Sequence, residues 1–170
     1  MSDTSGSTPI GIEAADPDDP VARELIEELG AELTRAVGWF APASYAAEDA
    51  RAPRSVFVMA RDELTGRAVG CGAIRALGGA DAREAELKRM YARAGTKGVG
   101  HAILKYLEDA ARSFGYLELW LETGASNTRA LRFYERHGYR PVPNFGPYVG
   151  HPESVCLGKS LVPLGQSPKL

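Results

Sequence analysis

The sequence has little of what marks several large classes of protein. Among 170 residues there are only two cysteines. Cys71 and Cys156 sit in apolar, strand-like stretches and read as small buried hydrophobes, not as a disulfide framework. His101, His137 and His151 do not fall at ligand spacing with one another or with the cysteines, so no metal is expected. Lysine and arginine number 20 against 22 aspartates and glutamates, a net charge of −2, and no basic block stands out. That balance gives no electrostatic reason to expect nucleic acid or an anionic membrane as a partner. No apolar run approaches the roughly 20 residues that span a bilayer. The opening MSDTSGSTP has neither the basic nor the apolar region of an export signal, so a cytoplasmic location is expected. No Gly-x-Ser-x-Gly elbow offers a serine nucleophile.

What is present is an ordinary globular balance, 44% hydrophobic and 25% charged, with clear periodicity. Residues 1–8 are polar and read as a disordered tail, 9–162 as one domain and 163–170 as a second tail. A strand is expected over Ile10–Ala14. Asp16, Asp18, Asp19 and Pro20 then open a helix through Val21, Leu25, Leu29, Leu33 and Val37, which Gly38 ends. SVFVMAR and RAVGCGAIRAL, joined by DELTG, predict a hairpin. REAELKRMY predicts a fourth strand, with Glu84, Glu86, Lys88 and Met90 on one face and Ala85, Leu87, Arg89 and Tyr91 on the other. Val99, Ile103, Leu107, Ala110 and Phe114 recur at helical spacing up to Gly115. YLELWLET is a further strand. A helix capped by Ser126 or Asn127 runs to Gly138, and two strands near 139–142 and 154–161 close the chain. The order β, α, ββ, β, α, β, α, ββ is that of a mixed α/β domain.

The stretch TKGVGHAILKYLEDAAR places Gly98 and Gly100 at a strand–turn–helix junction. A helix N-terminus offers unpaired N–H groups and partial positive charge, which suits a nucleotide or coenzyme A pyrophosphate. Easier helix packing is the competing reason for the glycines. The Rossmann pattern fails at its third glycine, where Ile103 stands. Gly158-Lys159-Ser160 resembles a P-loop end, but Glu153 occupies the first glycine position and Pro163 follows.

The run from Glu86 to Tyr139, ELKRMYARAGTKGVGHAILKYLEDAARSFGYLELWLETGASNTRALRFYERHGY, resembles the GNAT superfamily of acyl-CoA-dependent N-acetyltransferases. The pieces LETG…N…A…FYE..GY and FGPY…K.L carry the likeness more specifically than the glycines do. The resemblance implies one α/β domain of mixed α+β character: a mostly antiparallel sheet of six or seven strands, flanked by helices, with strands 4 and 5 splayed. It implies acetyl-CoA as co-substrate and direct transfer to a primary amine of a small molecule or protein. A homodimer is plausible by the same likeness. Met90 and Tyr91 would lie along the pantetheine arm, and Thr96, Lys97, Gly98, Val99, Gly100 and His101 would wrap the pyrophosphate. Asn127 matches the family asparagine that contacts the coenzyme. Tyr134 matches the tyrosine near the thioester sulfur, and Glu86 sits where some members place a base. The loop departs from the family at Gly95, where glutamine or arginine is usual; Arg93 is a candidate for the displaced cation. The first helix, the loop after it and the Pro143–Pro152 loop would form the acceptor site, with Trp39, Phe40, Tyr45, Phe145, Tyr148 and His151 as lining candidates. Glu118, Trp120 and Glu122 share one strand face, and carboxylates open to the slot would favour a cationic acceptor. The alternative function is a non-catalytic acyl-CoA-binding sensor on the same fold; a degenerate fold kept for dimer contacts is a third.

Overall fold

The computed structural model describes residues 8–38, 45–163, 165 and 166. Trp39, Phe40, residues 1–7 of the first tail and 164 and 167–170 of the second lie outside them. Along the chain run β1 (Ile10–Ala14), α1 (Pro20–Val37), α2 (Ala47–Arg51), β2 (Val56–Asp62), β3 (Ala68–Ala76), β4 (Glu84–Ala92), α3 (Val99–Ser113), β5 (Glu118–Gly124), α4 (Thr128–Arg136), β6 (Arg140–Val142) and β7 (Ser154–Ser160). A 3-10 turn, Gly146–Tyr148, lies in the loop before β7. The helix ends follow cap chemistry. Asp19 accepts from the Val21 N–H at 2.8 Å, Pro20 fills the first turn, and Gly38 closes α1 with φ of 85°. Asn127 accepts from the Ala130 N–H at the start of α4.

The seven strands form one sheet in the order β1-β2-β3-β4-β5-β7-β6. Every neighbouring pair is antiparallel except β4–β5, which is parallel. Two cores lie on opposite faces. One packs Ile103, Leu104 and Leu107 of α3 against Ala85, Leu87, Leu119 and Leu121. The other packs Ala22 and Leu25 of α1 with Tyr45 against Phe57, Met59 and Cys71. Both cysteines are free and buried. The α3 helix sits close on β3 because Gly72 carries no side chain. A Cβ there would stand 2.7 Å from both Ile103 Cγ2 and Met90 Sδ. At its other end, Tyr139 Oη and Lys159 Nζ both donate to the buried Glu108 carboxylate, at 3.0 Å, which ties α3 to β7.

One expectation is corrected in β4. Cys71 pairs with Tyr91 but Ala73 pairs with Lys88, so β4 carries one extra residue opposite Gly72. Arg89 has φ of 55°, the mark of a β-bulge. A bulge reverses the alternation. Ala85, Leu87 and Met90 join the α3-side core, while Tyr91 joins the α1-side core. Met90 therefore does not share a face with Glu86 and Lys88, and Arg89 does not share one with Leu87; its guanidinium donates to the Tyr45 carbonyl.

Candidate active site

The parallel pair β4–β5 holds together for only three residue pairs, ending at Glu86 and Trp120. Beyond it the strands part. A cavity of about 190 Å³ occupies the gap, walled by Leu87–Met90 on one side and Leu121–Gly124 on the other. Leu29, Leu33 and Val37 of α1 line one mouth, and Ala130 and Tyr134 of α4 line the other. The slot thus passes through the sheet from one face to the other. The edge of β4 past Glu86 has no β5 partner, so part of its backbone lacks ladder hydrogen bonds.

Charged side chains gather beside the cavity, and Lys88 and Glu122 line it. Glu86, 2% exposed, is not free there: Arg75 holds its Oε1 at 2.8 and 3.1 Å, and Arg75 also pairs with Asp49 at 3.0 Å. Lys88 lines the cavity, and burial lowers its pKa against the pull of Glu86, 3.9 Å away. Its Nζ donates to Tyr148 Oη at 3.1 Å. Glu122 lines the opposite wall, and burial raises its pKa above the usual carboxylate value. No cation lies within salt-bridge reach of Glu122 among the described residues. Glu118 is spent elsewhere, accepting from Trp120 Nε1 at 2.6 Å.

Tyr134 and Asn127 both line the cavity. Tyr134 is 8% exposed, and burial alone pushes its pKa upward, so the hydroxyl stays protonated at neutral pH. Its ring packs on Phe133 and Tyr139, and its hydroxyl bonds to nothing among the described residues. Asn127 spends its oxygen on the helix cap, which leaves its amide N–H groups for another partner.

The glycine loop adjoins the α4-side mouth. Gly98 is the N-cap of α3 with φ of 74°, and no side chain caps that end. A Cβ on Gly98 would meet nothing within 4 Å, so its absence serves the turn. Gly100 has a packing reason: a Cβ there would stand 3.3 Å from the Phe133 ring. The N–H groups of Val99, Gly100 and His101 have no intrahelical acceptor. Lys97 and Thr96 are exposed beside them, with the Thr96 hydroxyl donating to the Arg93 carbonyl at 2.6 Å. The His101 ring meets His137 at 2.9 Å, while His137 Nδ1 lies 2.7 Å from the Phe133 carbonyl. A carbonyl only accepts, so His137 Nδ1 carries the proton of that bond. Arg93 does not replace the missing loop cation. Its guanidinium is held by Glu28 at 2.7 Å and Glu24 at 2.8 Å, and also donates to the Ala68 carbonyl. Tyr91 Oη joins the same network through Glu28.

Of the acceptor candidates, Tyr148 lines the cavity. Phe145 stacks on Trp120 and Tyr148. Tyr45 is buried with an unbonded hydroxyl, and His151 turns outward to pair with Glu153 at 3.0 Å. Sequence reasoning missed the Lys88–Tyr148 contact, whose partners lie 60 residues apart. It also gave Glu122 no role as a base; the signal available was an acid alternating onto the slot face of its strand, where it also meets the Ser154 hydroxyl.

Residues 20–139 match the family model of the acetyltransferase (GNAT) family. Among curated proteins, the chain is 35% identical over 107 residues to an IAA acetyltransferase of Azospirillum brasilense, covering 62% of this chain and 67% of that one. It is 32% identical over 65 residues to the [ribosomal protein bS18]-alanine N-acetyltransferase of Salmonella typhimurium, where the match spans 36% of this chain and 44% of the relative. Among solved structures, a Klebsiella pneumoniae protein described as an acyl-CoA N-acyltransferase is 29% identical, with a TM-score of 0.73 over 92% of this chain and 100% of that one. A GNAT-family acetyltransferase of Elizabethkingia anophelis with acetyl-CoA bound shares the fold at 17% identity, with a TM-score of 0.63 over 89% of this chain and 97% of that one.

Proposed function

This chain belongs to the acetyltransferase (GNAT) family, and on that premise we propose that it transfers an acetyl group from acetyl-CoA to a primary amine. The observation that carries the reading is the parted β4–β5 pair, whose cavity brings Glu122, Tyr134 and Asn127 together. The Elizabethkingia neighbour, which holds acetyl-CoA, has the same fold. The unpaired edge of β4 near Met90 and Tyr91 suits the amides of a pantetheine arm. The bare N-terminus of α3, with Lys97, suits a pyrophosphate. Acetyl-CoA supplies an acyl carbon already activated as a thioester.

Glu122 is the better base. An alkylamine is mostly protonated at neutral pH, its pKa being near 10.4. It must give up one proton before its nitrogen can attack, and a second leaves the nitrogen once it has bonded the acyl carbon, one passing to the carboxylate and the other to solvent or the departing thiolate. Glu122 has no salt-bridge partner to compete for the proton it takes, and its raised pKa brings it nearer neutrality. Glu86 is committed to Arg75 and is better read as holding that arginine. As the carbon–sulfur bond breaks, the Tyr134 hydroxyl, which lines the cavity, donates to the leaving sulfur in this reading. A thiol near 8.5 is more acidic than a tyrosine pushed above 10, so Tyr134 serves as a hydrogen-bond donor and keeps its proton. A coenzyme-binding sensor without turnover is the second reading, favoured by the commitment of Arg93 to α1 instead of the loop.

Calorimetric titration with acetyl-CoA, then thiol release across an amine panel, tests the proposal. Selective binding with release supports the transferase. Binding with no release from any amine supports the sensor, and no binding overturns both.

A further inference from the structure

We infer that the acceptor carries a carboxylate beside its amine, as an amino acid does, and that Lys88 and Tyr148 bind that carboxylate. The inference rests on the transfer reading above and adds the chemical class of its acceptor.

The direction of one hydrogen bond carries it. Lys88 Nζ lies 3.1 Å from Tyr148 Oη. An ammonium only donates, so the tyrosine oxygen is the acceptor and its own proton points elsewhere. No described residue receives that proton. Lys88 keeps further N–H groups, and the nearest carboxylate oxygen, on Glu86, is 3.9 Å away and beyond hydrogen-bond reach. Glu86 is hydrogen-bonded instead to Arg75 at 2.8 Å, a guanidinium it shares with Asp49. The Lys88 side chain is only 10% exposed, yet it lines the cavity, as Tyr148 does. Two adjacent donors, one an ammonium, thus share a partly desolvated wall without an acceptor between them. Leaving such donors unmet is costly, and a carboxylate satisfies both with charge-assisted bonds. A bare alkylamine would instead bring a second positive charge toward Lys88. Glu122 on the facing wall supplies the negative end that an amino group needs. The slot therefore has a positive end and a negative end, which matches an amino acid rather than a polyamine.

The test uses the full chain, acetyl-CoA and matched acceptors: L-alanine, L-phenylalanine and L-tryptophan, each beside its carboxamide and its decarboxylated amine. The carboxamides have the less basic amines, so basicity alone would favour them. The expected result is that the acids have the higher kcat/KM, by about ten- to a hundredfold, the worth of a hydrogen bond to a charged group. Lys88→Met should collapse that preference toward one, mainly through KM. Tyr148→Phe should reduce it in part, and serves alone should Lys88→Met not fold. Carboxamides, amines or alanine-initiated peptides turned over as well as the acids would overturn the inference while leaving the transferase standing. Thiol release from no acceptor at all would overturn both.

Discussion

Glu86 and Glu122 stand on the two strands that part to make the slot, and their partners separate their roles. Glu86 is closed off by Arg75. Glu122 is half-buried without a counter-ion, and its charged form is the disfavoured one. A carboxyl whose pKa is raised by folding contributes stability below its unfolded pKa, and loses it as pH rises through the folded value. The ionised form of Glu122 is therefore a strain on the fold. Glu122→Gln should lower kcat by about a hundredfold or more, while unfolding in urea at pH 7 shows equal or greater stability. It should also remove the acid limb of the rate profile, which for the native chain lies above the ordinary carboxylate range. Glu86→Gln should do the reverse and cost about 3 kcal/mol by leaving Arg75 half-paired. A catalytic collapse with Glu86→Gln and none with Glu122→Gln would reverse the assignment. Tyr134→Phe should lower kcat more than acetyl-CoA affinity; an equal kcat would return this side chain to the core.

The elements show where a period can be read and where it fails. Asp19, Gly38, Asn127 and Gly115 stand at their helix ends because capping is local chemistry, legible from adjacent residues. The bulge in β4 is not local. It is set by pairing with β3, and a two-residue alternation carries no mark of the extra residue at Arg89. The loop after β4 shows the same limit: Arg93 is read from sequence as a candidate loop cation, whereas Glu24 and Glu28 of α1, over 60 residues earlier, claim it. The network joins the end of β4 to α1, both of which wall the slot. Arg93→Met should cost about 1–3 kcal/mol in urea unfolding, the scale of hydrogen bonds to a charged group. Acetyl-CoA affinity, read by calorimetry, should hold. A large loss of affinity with unchanged stability would make Arg93 the coenzyme's cation after all.

At the scale of the molecule, the seven strands and three longer helices and their order follow from the sequence, the short α2 being absent from that order, while their arrangement across the sheet comes from pairing between distant strands. The return of β7 to a place between β5 and β6 is not written in any short segment. The candidate base and tyrosine were visible as members of patterned segments, but Lys88 with Tyr148 and Glu86 with Arg75 meet only through the folded sheet. The parted strands are also where this fold is least self-supporting, because β4 and β5 share just three pairs and the edge beyond them is unladdered. A ligand bridging the two strands and the α3 N-terminus would be held by the native state alone. Acetyl-CoA at about a hundred times its dissociation constant should then add about 2.7 kcal/mol, which for a domain of this size raises Tm by about 5–10 °C. Amide exchange should slow most in β4 past Glu86, in β5 past Trp120 and in the first turn of α3. NADH should shift neither reading. Equal stabilisation by NADH would mean a generic anion site at the helix end, and protection confined to α3 would remove the slot as the seat of the acyl arm.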